Sequence, residues 1–247
     1  MLFTDADFSQ VRFTGARLRQ ADLRDLDVRG AVVSGTFRGV ELWDLEVSGE
    51  IGRLVVNGVD VGPYVAAELD RRMPDRVLMR PTDVEGFRTG FATIERLWDA
   101  TVERARTFPA EDLHRSVDGE WSFIQTLRHL GFATACWLGM ALGDPSPWHP
   151  YDLPWDEAPG WDGVPWDREM QPSLAEVLAV RMERRALIHR VLDSLTQEEL
   201  ERVVSPIADG HPPETVPVAT CLRVILNEEW EHRLYAERDL AIIEKED

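Results

Sequence analysis

Sulfur is scarce in this chain, with two cysteines, Cys136 and Cys221, in 247 residues. That count excludes a disulfide framework and a sulfur-rich zinc site, and both thiols are read as core filling. A basic excess is also missing. The formal net charge is -18, from 27 Lys and Arg against 45 Asp and Glu, which repels phosphate backbones and anionic lipid surfaces, so neither nucleic acid nor a membrane is an expected partner. No apolar run approaches the ~18 residues of a membrane span. The N-terminal stretch Met-Leu-Phe-Thr-Asp-Ala-Asp lacks the basic start and apolar stretch of a secretory signal, and the expected location is the cytoplasm. What is present, 44% hydrophobic and 29% charged residues, is the composition of a soluble globular protein long enough to bury a full core in one or two domains.

The first sixty residues repeat. Phe3, Phe8, Phe13, Leu18, Leu23, Val28 and Val33 recur every five positions, with Ala6, Val11, Ala16, Ala21, Leu26 and Ala31 two positions before the next large residue. The register slips near Arg38, resumes at Val40 to Val47 and fades towards Val59 and Val61. A period of five fits neither a helix nor a simple strand. It resembles the pentapeptide-repeat family, which implies a right-handed β-helix of roughly three coils, enough for stacked repeats to share a core. Some members of that family mimic DNA, but residues 1–62 hold ten acidic residues against seven arginines, too balanced for an acidic rod. A packing or interaction appendage is the expectation.

Asn57-Gly58, Gly62-Pro63, Met73-Pro74 and Arg80-Pro81 then punctuate a connector with a short helix at about Tyr64 to Arg72. From Thr82 the apolar period becomes helical: Phe87, Phe91, Ile94, Trp98, Val102 and Ala105 keep spacings of three and four, with Asp83 as cap. Ser122 and Gln125 have capping-box spacing and predict a second helix to about Leu142. Ser173 and Glu176 open a third, with Leu178, Met182, Ile188, Leu192 and Leu195 inward and His189 at its edge. Thr196 caps a short turn, Ser205 to Pro217 reads as loop, and the fourth helix runs from Val218 to about Ile243. The expected fold class is thus α+β by segments: a pentapeptide-repeat β-helix over 1–62, a connector over 63–81 and an all-α four-helix bundle over 82–247. Between the second and third helices, residues 143–172 form a long Pro-rich loop holding Trp148, Trp155, Trp161 and Trp166. These either cover the bundle, bury a protein contact, or line a ligand pocket.

Chemistry concentrates on the last helix. Glu228 and His232 are four residues apart and share a face with Cys221, Ile225 and Tyr235, the stripe expected to meet the core. Buried polar groups need partners. His129, on the core face of the second helix with Gln125, Phe132 and Cys136, is a third donor. A lone histidine on such a face is ordinarily a satisfied core residue, and spacing alone leaves the third donor open. Two imidazoles and a carboxylate suit Zn(II), and also Fe(II) or Ni(II), with room left for water or substrate. Glu229 and Glu231 flank the pair at angles that direct them to solvent.

Trp121-Ser122-Phe123 leading to His129-Leu130, with Glu228-x-x-x-His232 on the last helix, resembles the DinB-like superfamily of metal-binding four-helix bundles over about residues 82 to 243. The resemblance implies a divalent metal held by His129, Glu228 and His232. Many members carry histidine at the first position of the last motif. The glutamate here is similar to the mycothiol-dependent maleylpyruvate isomerases, whose zinc is held by two His and one Glu. The implied activity is a thiol-dependent transferase or isomerase, in which mycothiol or another low-molecular-weight thiol attacks a small electrophile. The second reading is a metal-stabilised binding or assembly module without turnover. A homodimer is compatible with either.

Overall fold

The computed structural model describes residues 53–143, 148–155, 158, 163–165, 167–205 and 215–246. The chain divides into two compact units, Met1–Glu50 and Ile51–Asp247. The first unit, and with it the expected β-helix up to residue 52, lies outside the described residues; residues 53–62, assigned to the same β-helix, form a hairpin and the start of a helix instead.

The second unit begins with a hairpin rather than a further repeat. β1 (Val55–Val56) pairs antiparallel with β2 (Val59–Asp60) across Asn57-Gly58. Both turn residues have positive φ, 50° and 85°, the conformation a two-residue primed turn requires and Asn-Gly supplies. α1 (Gly62–Arg72) follows with proline in its first turn, then a 3₁₀ segment, Pro74–Met79.

Four long helices form the bundle, each opened by local chemistry. α2 (Val84–Ala105) starts where the Asp83 carboxylate accepts the Gly86 N–H at 2.8 Å. α3 (Phe123–Leu142) starts at a reciprocal box: the Ser122 N–H donates to Gln125 Oε1 at 3.0 Å, and the Gln125 N–H donates to Ser122 Oγ at 3.2 Å. α4 (Leu174–Ser194) repeats the device with Ser173 and Glu176. The short α5 (Gln197–Glu201) is capped by Thr196. β3 (Val203–Val204) pairs antiparallel with β4 (Val216–Pro217), so the stretch read as loop is closed at both ends by a two-residue ladder. α6 (Val218–Glu246) completes the bundle.

The packing runs in a ring, α2–α6–α3–α4. α3 against α6 is the most extensive contact, and α2 touches α4 least, which leaves a seam between them. Phe87, Phe91, Ile94, Trp98, Leu127, Leu130, Leu138, Leu222, Ile225 and Leu226 fill the centre. Cys136 and Cys221 are buried and free, as core filling requires. The open seam explains one misplaced residue: Met182, expected inward, is 69% exposed, because α2 does not close over that part of α4. Ile188, Leu192 and Leu195 are buried as expected, and His189 reaches Glu95 Oε2 from the edge at 3.0 Å.

Candidate metal centre

The capping box fixes where α3 begins, and so sets His129 two turns into it. α6 brings Glu228 and His232 to the same point from the opposite wall. Glu228 Oε2 stands 3.5 Å from His129 Nε2 and 3.2 Å from His232 Nε2, and one donor atom from each residue falls within 4.8 Å of the others. Donors about 2.0–2.1 Å from a tetrahedral Zn(II) are roughly 3.3 Å from one another, so the two Glu228–imidazole spacings already fit such an ion, and the two imidazoles need only close on it from within 4.8 Å. His129 is buried, while the Glu228 and His232 side chains keep 30% and 20% exposure. The cluster is therefore reachable from outside.

His129 is oriented from behind. Its Nδ1–H donates to the Leu153 carbonyl at 3.0 Å, which in the neutral ring leaves the lone pair on Nε2, facing Glu228. An imidazole lone pair then points at a carboxylate oxygen, an arrangement that is repulsive unless additional protons or a cation stand among the three groups. Burial alone would raise the Glu228 carboxyl; when His129 and His232 carry the additional protons, their hydrogen bonds and positive charge outweigh it and hold the group down to about 2. The carboxylate is thus an anion awaiting positive charge.

An aromatic wall surrounds the donors. The Trp121 ring lies 4.4 Å from that of His129 and stacks on His232 at 5.7 Å with 14° between planes. Phe132 lies 6.1 Å from His129, and Trp148 and Trp155 pack on Phe132 at 5.2 and 6.1 Å. Of the four loop tryptophans, Trp148 and Trp155 are therefore beside the cluster. Trp161 and Trp166 lie outside the described residues. Tyr235 meets His232 edge-on at 6.3 Å but is 44% exposed, outside the core stripe on which it was expected.

Glu229 corrects another expectation. It is buried rather than solvated, with its carboxylate accepting from Arg181 of α4 at 2.8 Å and its carbonyl accepting from Trp98 Nε1 at 3.1 Å. Arg181 in turn lies over the Trp98 ring at 5.1 Å. Glu231 is half-buried. The cause is that α6 is packed on two sides, against α3 and against α2, so consecutive glutamates both face inward, to different compartments. Glu229 belongs to a cavity of about 480 Å³ in the α2–α4 seam, floored by Trp98, Leu130 and Gly131. None of the three donors lines it; the chemistry sits on the other side of the wall that α3 and α6 form.

This bundle, with its donors on the second and last long helices, has a counterpart among known families. The model of the DinB superfamily matches residues 93–236, more than half of the chain, and the chain belongs to that superfamily. The model of pentapeptide repeats matches residues 2–37 in eight copies. No curated protein and no solved structure matches the chain.

Proposed function

We propose that His129, Glu228 and His232 hold a divalent metal, Zn(II) first and Ni(II) or Fe(II) next, and that the protein is a metal-dependent enzyme. The reaction class we assign is thiol-dependent transfer to, or isomerisation of, a small electrophile, with mycothiol or a similar low-molecular-weight thiol as cosubstrate. One observation supports this above the rest: three acceptor atoms converge at metal-ligand spacing while two of their side chains stay partly exposed. A site built only to staple the fold gains nothing from exposure.

A bound metal would supply the positive charge that favours the thiolate form of a bound thiol or the hydroxide form of a bound water. The chain's own residues do the rest. The Leu153 carbonyl holds the His129 ring in one tautomer and one orientation. Trp121 shields both imidazoles on one side and restricts approach to the other. Phe132, Trp148 and Trp155 offer an apolar surface on which the body of an electrophile can lie while water is kept away.

Elemental analysis of protein purified without an affinity tag tests the metal: about one equivalent is expected, lost in both His129→Ala and His232→Ala with helix content retained. Metal persisting in both variants refutes the assignment. Thermal shift of the metal-loaded protein with mycothiol, bacillithiol and glutathione tests the thiol, because a ligand that binds only the native state raises Tm. If the metal is bound and no thiol shifts Tm, the metal-stabilised binding module replaces the enzyme reading.

A further inference from the structure

We propose that Arg128 is a positioning residue for this centre: it ties together the two limbs of the 143–172 loop and thereby sets the Leu153 carbonyl that orients His129. The inference rests on the metal reading of the site, and the experiment below separates the two.

Arg128 is 1% exposed. A buried guanidinium is costly unless its donors are met, and here backbone carbonyls meet them. Nε–H donates to Tyr151 O at 2.9 Å, Nη1 to Met170 O at 3.0 Å and Nη2 to Asp167 O at 2.5 Å. Tyr151 belongs to the first half of the loop sequence, and Asp167 and Met170 to the second. Only a planar fork with donors on three nitrogens can bridge both limbs at once.

The residue next to Arg128 on α3 is the proposed ligand. Leu153 is bracketed by the pair: its N–H donates to the Arg128 carbonyl at 3.3 Å, and its carbonyl accepts from His129 Nδ1 at 3.0 Å. Asp152, between the two anchored residues, is 1% exposed. Its Oδ2 accepts the His149 N–H at 2.8 Å and Arg184 Nη2 at 3.0 Å, and the missing side chain of Gly131 lets it lie against α3. Residues 149–153 are thus held at every second position, and the carbonyl that fixes the ring cannot drift while the clamp is intact.

The test uses the full chain labelled with 15N-histidine, metal-free, with Arg128→Met and Arg128→Lys. A long-range 1H–15N correlation reads which ring nitrogen of His129 carries hydrogen. Competition with a chromophoric chelator reads Zn(II) affinity, and far-UV circular dichroism reads folding. The wild type is expected to show His129 protonated at Nδ1. Arg128→Met is expected to show mixed tautomers and an affinity 10- to 100-fold lower, the scale for loss of an outer partner of a metal ligand. Arg128→Lys keeps the charge but not the fork and falls between; it carries the test if Arg128→Met does not fold. A residue that merely stabilised the fold would lower Tm and leave the tautomer unchanged. A folded variant with wild-type tautomer and wild-type affinity overturns the inference. A wild type that binds no Zn(II) while the tautomer still changes in the variant upholds the clamp and overturns the metal reading.

Discussion

Replacing Gly131 by alanine is expected to destabilise the protein, although the same change inside an ordinary helix is favourable by about 0.8–1 kcal/mol. A Cβ at residue 131 would stand 2.8 Å from Asp152 Oδ1, where ordinary contact begins near 3.4 Å. Asp152 has nowhere to retreat: it is 1% exposed, and its other oxygen is held by Arg184 and the His149 N–H. Overpacking of a fixed neighbour costs about 1–3 kcal/mol. With the clash taken at the middle of that range, about 2 kcal/mol, the net loss after the helix gain is about 1 kcal/mol, or roughly 2–4 °C in Tm for a domain of this size. Urea unfolding followed by circular dichroism measures it. Removing the carboxylate first, as Asp152→Ala, relieves the contact, and Gly131→Ala in that background recovers the helix gain. The double-mutant cycle is therefore expected to give a coupling of about 2 kcal/mol. A Gly131→Ala variant more stable than the wild type, or an additive cycle, refutes the reasoning.

Arg181→Met strands the Glu229 carboxylate in the α2–α4 seam; breaking a buried pair costs about 3 kcal/mol, and adding Glu229→Gln is expected to restore most of it, as read by chemical denaturation. Burial pushes the Cys136 thiol up to about 12 and the Cys221 thiol up to about 11. An aromatic disulfide reagent at pH 8 should therefore find no reactive thiol in the native protein and two in urea; reaction of either in the folded state contradicts the packing. The Glu228 carboxyl, held at about 2 against an ordinary 4.5, binds fewer protons folded than unfolded. Its stabilisation is present above about pH 4.5 and is lost as pH falls towards 2. In metal-free protein, the stability difference between wild type and Glu228→Gln should shrink over that window, and a difference independent of pH would contradict the ion cluster.

Helix starts were the most legible part of the structure, because capping is local. Asp83, Ser122 with Gln125, Ser173 with Glu176, and Thr196 each read correctly from residues at most three apart. Periodicity put Glu228 and His232 on one core face and His129 on another but left the third donor open; the family resemblance singled out His129, and the bundle brings the two faces together. Glu229 was misread because a single buried stripe was assumed for a helix that packs on two sides. Met182 was misread because periodicity cannot tell which part of a seam stays open. Arg128 carried no signal at all, since its partners are backbone carbonyls far along the chain that any residue type could provide.

The spread of the three donors has a kinetic consequence. His129 and His232 are about a hundred residues apart in the chain, and their meeting depends on the α3–α6 contact, the most extensive in the bundle. Such contacts form late, after the loop-closure entropy of the intervening chain has been met. A nascent chain still emerging from the ribosome carries His129 long before α6, with Glu228 and His232, has been made. A chain that lacks α6 keeps one of the three donors, so loading of the proposed ion would report that α6 has docked on α3.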